Sequence, residues 1–508
     1  MEAFFVKGFN RLTLWIKFVK RAGSILCIVS GFGGLRGSRS GADPKSRPQS
    51  VVRGANRLVD IQISVPSYYM MVEGIFGKHD CESLENTVWQ EAMNRQQMTS
   101  GDRGRDRQAA QSNGAGAVLP RRGEVVLIGS QYFLYFGVLG IFLPYFNLYC
   151  YHLGFSGFQI GAISSVRSTA MVIFPMVWGI LADRFRMRRP IYILCNAVAT
   201  AVWALFMVTT DFTAMLVISF IYGIFYAPII SFLEAFTMDA LGGEKKRYGA
   251  LRAWGSISFI TSVLVVGKVT EMYSTTIILV PIFIGSLLLA VLSSRVPCRG
   301  KPAADIRQGR FAGILTPRVL IFLLCAFLML LSHGTYYGFF SIHLENLGYG
   351  NMFIGGAWAL ASIAEILVMV ASNRLFQAFS LEGVLIFSFT VAVCRWGIMS
   401  MISSPVAILL SQVLHAVTYG TFHMASILYI DRLSPPGGKT LGQAVNNAVT
   451  YGLGLMVGFF LNGLLFERMG VTALFQMSAG IALGGGLMFR GLMALNGRLE
   501  DRGGRHLT

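Results

Sequence analysis

From Glu124 onward, mostly apolar stretches recur roughly every 30 residues, each ended by a short polar or Gly/Pro break. Each is about 18 residues or longer, enough to cross a bilayer as a helix. They are centred near residues 139, 170, 200, 224, 260, 284, 329, 363, 391, 417, 452 and 483. Hydrocarbon offers no hydrogen bonds, so a spanning segment must satisfy its own backbone, and a helix does so locally. The chain is 54% hydrophobic and 13% charged, whereas a soluble domain carries about 25% charged residues. The expectation is an all-α membrane protein with twelve transmembrane helices.

The net charge of +18 does not point to nucleic acid, because the basic residues sort by loop. Arg184, Arg186, Arg188 and Arg189 follow helix 2; Lys245, Lys246 and Arg247 follow helix 4; Arg295 to Arg318 follow helix 6; Arg374 follows helix 8; Arg432 and Lys439 follow helix 10. The opposite loops hold Lys268 and Arg468. By the positive-inside rule both termini are cytoplasmic, in a multi-pass protein of the inner (plasma) membrane. Residues 121–296 and 317–497 are expected to form two six-helix bundles, joined by a polar, basic linker over 297–316 and followed by a cytoplasmic tail over 498–508. Residues 1–120 stand apart, since their apolar piece Ile25 to Leu35 is too short and Gly-broken to span. They read as a disordered tail, a targeting segment or an over-extended start; the third is favoured, with Met93 or Met98 opening a solvated leader.

Ionisable residues inside the apolar runs carry the functional reading, because an intramembrane charge costs about 2.5–3.5 kcal/mol and faces a partner or a wet cavity. Glu234 lies nine residues before Gly243 and Arg252 nine after it. In an antiparallel hairpin both then sit roughly 13 Å from the turn, which makes each the other's natural partner. Arg395 and His415 are placed alike, ten residues either side of Pro405. Glu365 lies near the middle of helix 8. Tyr222 on helix 4, His333, Tyr336 and Tyr337 on helix 7, Tyr419 and His423 on helix 10, and Asn446, Asn447 and Tyr451 on helix 11 add polar and aromatic groups.

The segment GILADRFRMRRP (179–190) resembles the signature between helices 2 and 3 of the major facilitator superfamily, with Gly179, Leu181, Ala182, Asp183, Arg184 and Arg188 matching. The family's second glycine is Arg186 here. Asn373-Arg374 echoes this break in the second half, as two homologous halves would. The resemblance implies the major facilitator fold, two six-helix pseudo-repeats, with Gly179 allowing close helix approach and Asp183 and Arg184 latching one conformation. YGALRAWGSISF (248–259), HGTYYGFFSIHLENLGY (333–349), CRWGIM (394–399) and QVLHAVTYGTFHMASI (412–427) are similar to the phenylpropionate permease group of that superfamily. A more distant resemblance is to the lactose permease group of sugar–proton symporters. Its helix 4 Glu and helix 5 Arg have the spacing of Glu234 and Arg252, its helix 9 Arg and helix 10 His that of Arg395 and His415, and its helix 8 Glu corresponds to Glu365. That group has a proton-binding Glu where this chain has Thr418, and a Lys where it has Gln412.

What the resemblance implies is proton-coupled symport of a small aromatic carboxylic acid such as 3-phenylpropionate, between halves that rock about a midplane site. Burial favours the neutral form of a carboxyl and a nearby guanidinium its ionised form. Glu365, the deepest carboxyl, is the first candidate for the proton, followed by Glu234, with His415 beside them. Arg252 or Arg395 would grip a substrate carboxylate through fork geometry; Tyr222, Tyr336, Tyr337 and Trp254 would stack on its ring. Structural readings stand beside these: Glu234–Arg252 as a static clasp, Arg395 snorkelling outward, His415 and His423 as bonded core histidines. The rival substrates are a nucleoside or an oligosaccharide, and the rival direction is efflux by antiport. A transporter-shaped sensor is disfavoured by buried charges in both halves. Gly438-Lys439-Thr440 ends like a phosphate-binding loop, but the first glycine it requires falls on Leu433. No enzyme motif, metal spacing or cofactor signature is present, and the cysteines never fall in CxxC spacing. The expected partners are a small molecule, protons and the lipid bilayer, around a monomer.

Overall fold

The structure is a computed structural model that describes residues 122–241, 245–297, 315–435 and 438–504. The extension expected over 1–120, nearly all of the linker and the end of the tail lie outside the described residues. Among those described, eleven helical stretches are long and apolar enough to cross a membrane. The last, Leu441–Ala494, is broken at Gly470, whose φ of 72° no helix accommodates. The break yields the twelve helices that the apolar runs foretell.

The first half comprises α1 (Arg122–His152), α2 (Gly157–Arg184), α3 (Arg188–Ala204), α4 (Phe212–Leu241), α5 (Lys245–Met272) and α6 (Leu279–Ser293). The second comprises α7 (Pro317–Asn346), α8 (Asn351–Val370), α9 (Leu381–Met401), α10 (Pro405–Leu433), α11 (439–469) and α12 (471–504). Local chemistry sets the boundaries. Ser156 and Gln159 form a reciprocal capping box that starts α2. The Thr316 hydroxyl caps α7, and Pro317 follows where its missing N–H costs nothing. The α1–α2 and α7–α8 turns each reverse through a left-handed glycine, Gly154 (φ 82°) and Gly348 (φ 86°), at equivalent places in the two halves.

α10 and α11 are not regular. Ala416–Thr421 and Asn447–Leu453 are π-helical, a distortion that concentrates at functional positions. At the α2–α3 turn Arg186 takes φ 53°, the left-handed conformation that the signature's glycine would adopt without strain.

The halves meet at the end away from the basic loops. His152 Nε2 on α1 lies 2.7 Å from Glu345 on α7, and the other ring nitrogen lies 2.7 Å from the Thr275 hydroxyl. Beside them Tyr151 donates to Asn346 at 3.2 Å and Asn147 donates to the Gly338 carbonyl at 2.9 Å. α2 and α11 touch backbone to backbone: a Cβ on Gly161 would fall 2.6 Å from the Phe459 carbonyl oxygen and 2.7 Å from Gly463 Cα. Close approach therefore occurs at Gly161 and Gly463. It does not occur at Gly179, where a methyl group would meet nothing within 4 Å.

Candidate functional site

In the first half the site is built around Arg252 on α5, which is 2% exposed. Its Nε lies 3.9 Å from Glu234 Oε1 on α4, so the hairpin brings together the two charges that equal depth pairs. The Tyr248 hydroxyl donates to the same carboxylate oxygen at 3.4 Å. The guanidinium lies 3.8 Å over the Phe136 ring and 5.4 Å from that of Tyr132, both on α1. A cation over an aromatic face is stabilised by the ring quadrupole, more so where water is excluded. From Phe136 an aromatic ladder runs through Tyr135 and Tyr226 to Tyr222, with successive centroids 5.3, 5.0 and 4.9 Å apart. Beyond it a second buried guanidinium, Arg167 on α2, covers Phe142 at 4.5 Å.

In the second half the centre is Arg395 on α9, which is fully buried and does not snorkel to a surface. Its Nε donates to the Ser411 carbonyl at 3.0 Å, Nη1 to His415 Nδ1 at 3.0 Å and to Thr418 at 3.3 Å, and Nη2 to Gln412 at 3.2 Å. These acceptors are all neutral, and among the described residues no carboxylate pairs with Arg395. The cation lies 4.3 Å from the centroid of the Tyr336 ring and 4.6 Å from that of Trp396, in a corner formed by two rings whose centroids are 6.1 Å apart. Tyr336 packs on Trp358 at 4.9 Å and on His415 at 5.2 Å; Tyr337 lies 3.4 Å from His415 Nε2. Because Nδ1 of His415 accepts from a guanidinium, the imidazole serves here as a neutral acceptor.

Glu365 on α8 stands between the two centres. It is 3% exposed, and its Oε1 has no hydrogen-bond partner. It lies against Gly420 in the π-helical part of α10, where an added Cβ would come within 3.0 Å of its Cγ. The charge of Arg252 acts on it from the other half. The buried ionisable groups, histidines aside, are three guanidiniums (Arg167, Arg252, Arg395) and two carboxylates (Glu234, Glu365) among the described residues.

Glu234, Arg252 and, through the ladder, Tyr222 come together in one half; Tyr336, Tyr337, Arg395 and His415 do so in the other, and Glu365 lies between. Trp254 does not join them. It is 52% exposed and rests over Gly129 of α1, about 200° around α5 from Arg252. Asp183 lies at the basic-loop end, held by Arg188 at 2.8 Å, while Arg184 is exposed. Arg188 also approaches Asp239 at 4.0 Å, which ties α4 to the α2–α3 turn. Sequence reasoning missed the aromatic faces that hold the guanidiniums, Phe136, Tyr132 and Trp396. The four-residue spacing of Tyr132 and Phe136 was the available signal, since it places both on one face of α1.

Residues 126–477 match the family described as the MFS_1 like family. The chain is 28% identical over 368 residues to a probable 3-phenylpropionic acid transporter of Escherichia coli (strain K12), covering 69% of this chain and 93% of that protein. It is 25% identical over 353 residues to the maltose permease of Geobacillus stearothermophilus, covering 68% and 88% respectively. Among solved structures, that of the nucleoside transporter NupG superposes with a TM-score of 0.65 at 18% identity, over 73% of this chain and 99% of that one; this likeness bears on the fold alone. These relatives are carriers and not enzymes. The chain belongs to the MFS_1 like family, as a phenylpropionate permease-like secondary transporter of the major facilitator superfamily that spans the membrane many times.

Proposed function

We propose that this protein is a proton-coupled symporter of a small aromatic carboxylic acid such as 3-phenylpropionate, working by alternating access in the inner membrane with both termini cytoplasmic. The observation that carries the reading is Arg395, a buried guanidinium whose partners are all neutral. A buried charge without a counter-ion is costly, and a substrate carboxylate drawn into the site offsets that cost. The aromatic walls of Tyr336, Trp358 and Trp396 suit a substrate that carries an aryl ring beside its charge. The similarity to a probable 3-phenylpropionic acid transporter supports the same class.

Glu365 is the proton carrier in this scheme. It shuttles between a state in which Arg252 is near and one in which separation of the halves removes that charge, so rocking moves the proton. The contacts that join the halves away from the basic loops, His152 with Glu345 and Asn147 with the Gly338 carbonyl, would hold the outer end closed in this scheme. Asp183 belongs to the latch of that end, with Arg188 as its partner and Gly179 and Arg184 beside it.

A second reading, uptake of an oligosaccharide or a nucleoside, is favoured by the Glu234–Arg252 pair, which offers acceptor and donor side by side for hydroxyl groups. Uptake into proteoliposomes under an imposed inward proton gradient separates the two. The expected result is accumulation of labelled 3-phenylpropionate, abolished by Glu365→Gln, with no accumulation of maltose or uridine. Accumulation of either neutral solute with none of the acid would overturn the aromatic-acid reading. Uptake indifferent to the gradient would overturn symport.

A further inference from the structure

At Glu365 and on its basic-loop side, the buried atoms Glu365 Oε1, His423 Nε2 and Asn446 Nδ2 have no hydrogen-bond partner. Glu365, His423 and Asn446 are each at least nine-tenths buried. Buried polar atoms in native structures are nearly always paired, with protein or with water, so several orphans in one region call for an explanation.

Glu365 is on α8, and His423 and Asn446 follow on α10 and α11. His423 is eight residues, about 12 Å along the helix, past His415 toward the basic-loop end. Its Nδ1 is hydrogen-bonded to the Tyr451 hydroxyl of α11. Glu365 meets α10 at Gly420, where an added Cβ would lie 3.0 Å from its Cγ and 3.9 Å from its Cδ, next to Tyr419 and in the same π-helical segment. Tyr419 lies between, parallel to His423 at 6.4 Å and edge-on to Tyr451 at 6.2 Å. Asn446 continues the line, with Ser426 and Thr450 both donating to its Oδ1 at 3.3 and 3.2 Å. Tyr419 and Tyr451 sit in the two π-helical segments, so both helices are distorted where the line passes. The other titratable or charged groups around it are His333 and Tyr337 on α7, Arg395 on α9 acting through His415, and Arg252 on α5 acting on Glu365.

We propose that Tyr451 and His423 form a second proton station, through which the proton of Glu365 leaves toward the cytoplasm. The inference rests on the symport reading. Glu365 gives its carboxyl proton to the Tyr451 oxygen, directly or across a water, as Tyr451 gives its own hydroxyl proton to Nδ1 of His423. The imidazolium then gives its Nε2 proton to a water, which carries it on toward the basic-loop end. One proton leaves the carboxyl and one emerges beyond Nε2; only O–H and N–H bonds change, and nothing is oxidised or reduced. In the described contacts neither residue meets Arg395 or Arg252, so each handles the proton and not the solute.

Two readouts on full-length protein in proteoliposomes test this. Accumulation of 3-phenylpropionate on a proton gradient requires net proton release, whereas gradient-free exchange of labelled for unlabelled 3-phenylpropionate does not. Tyr451→Phe and His423→Gln are expected to lower accumulation about tenfold or more, in the range of a lost proton-transfer group, and to leave exchange within about twofold. Accumulation at the unaltered level in both variants would overturn the relay alone. Parallel loss of exchange and accumulation in both would assign the pair to packing and would also overturn it. Failure of the unaltered protein to accumulate 3-phenylpropionate on a gradient would remove the symport reading, and the relay with it.

Discussion

Arg252 and Arg395 occupy matching roles in the two halves and are stabilised in opposite ways. Each is buried on a helix of a hairpin and lies over aromatic faces. Arg252 has a carboxylate at 3.9 Å, while Arg395 has a carbonyl, an imidazole, a hydroxyl and an amide. Four neutral dipoles orient a guanidinium but leave its charge uncancelled. One half therefore holds a balanced pair that can respond to Glu365 across the interface, and the other holds an unbalanced cation that attracts an anion. On the proposed reading, the same scaffold divides proton handling from substrate handling by the choice of a few partners.

The largest test of that contrast removes the balance from the first half. Glu234→Gln should cost about 3–5 kcal/mol of stability, since a buried cation is left without its partner, read as a fall in the detergent-solubilised protein's melting temperature. A melting temperature unchanged from the parent would mean that the pair is not what holds Arg252. Next, Arg395→Lys should weaken 3-phenylpropionate binding about 100-fold, because an ammonium cannot reproduce the planar fork; isothermal titration reads the constant. Retained affinity would make Arg395 structural. Thr418→Glu inverts the contrast by placing a carboxylate where a hydroxyl now lies 3.3 Å from Nη1. It should lower affinity for the acid about tenfold or more without loss of melting temperature, and unchanged affinity would refute the counter-ion argument. The smallest effect is expected from Tyr336→Leu, which removes one cation–π face worth about 1 kcal/mol and should raise the half-saturation concentration about fivefold.

Much of this contrast was legible before any coordinates. Helix rise and the symmetry of residues about a turn place Glu234 beside Arg252 and Arg395 beside His415, because both partners lie on adjacent antiparallel helices and depth alone decides the match. The same arithmetic, applied around the helix, separates Trp254 from Arg252 by about 200° and excludes the tryptophan from the site. Contacts between helices distant in sequence were not legible. Phe136 under Arg252, and Gly161 against Gly463, depend on how whole helices tilt and rotate, which local periodicity does not specify. The π-helical turns of α10 and α11 were equally hidden, since no composition marks them. Gly179 shows the converse: a glycine that matches a family signature need not be a point of close packing in the conformation at hand.

Arg186 has a consequence for the energetics of transport. A non-glycine residue held at positive φ lies about 1–2 kcal/mol above its relaxed conformation, and this one sits in the short connection between α2 and α3. Carrier conformers are separated by only a few kcal/mol. On the proposed alternating-access reading, a rearrangement that lets the connection relax would recover the difference, and the turn would act as a lightly wound spring that favours departure from the arrangement described. Arg186→Gly would unwind it and lengthen the dwell in that arrangement, an effect visible as a shifted conformer ratio in single-molecule fluorescence.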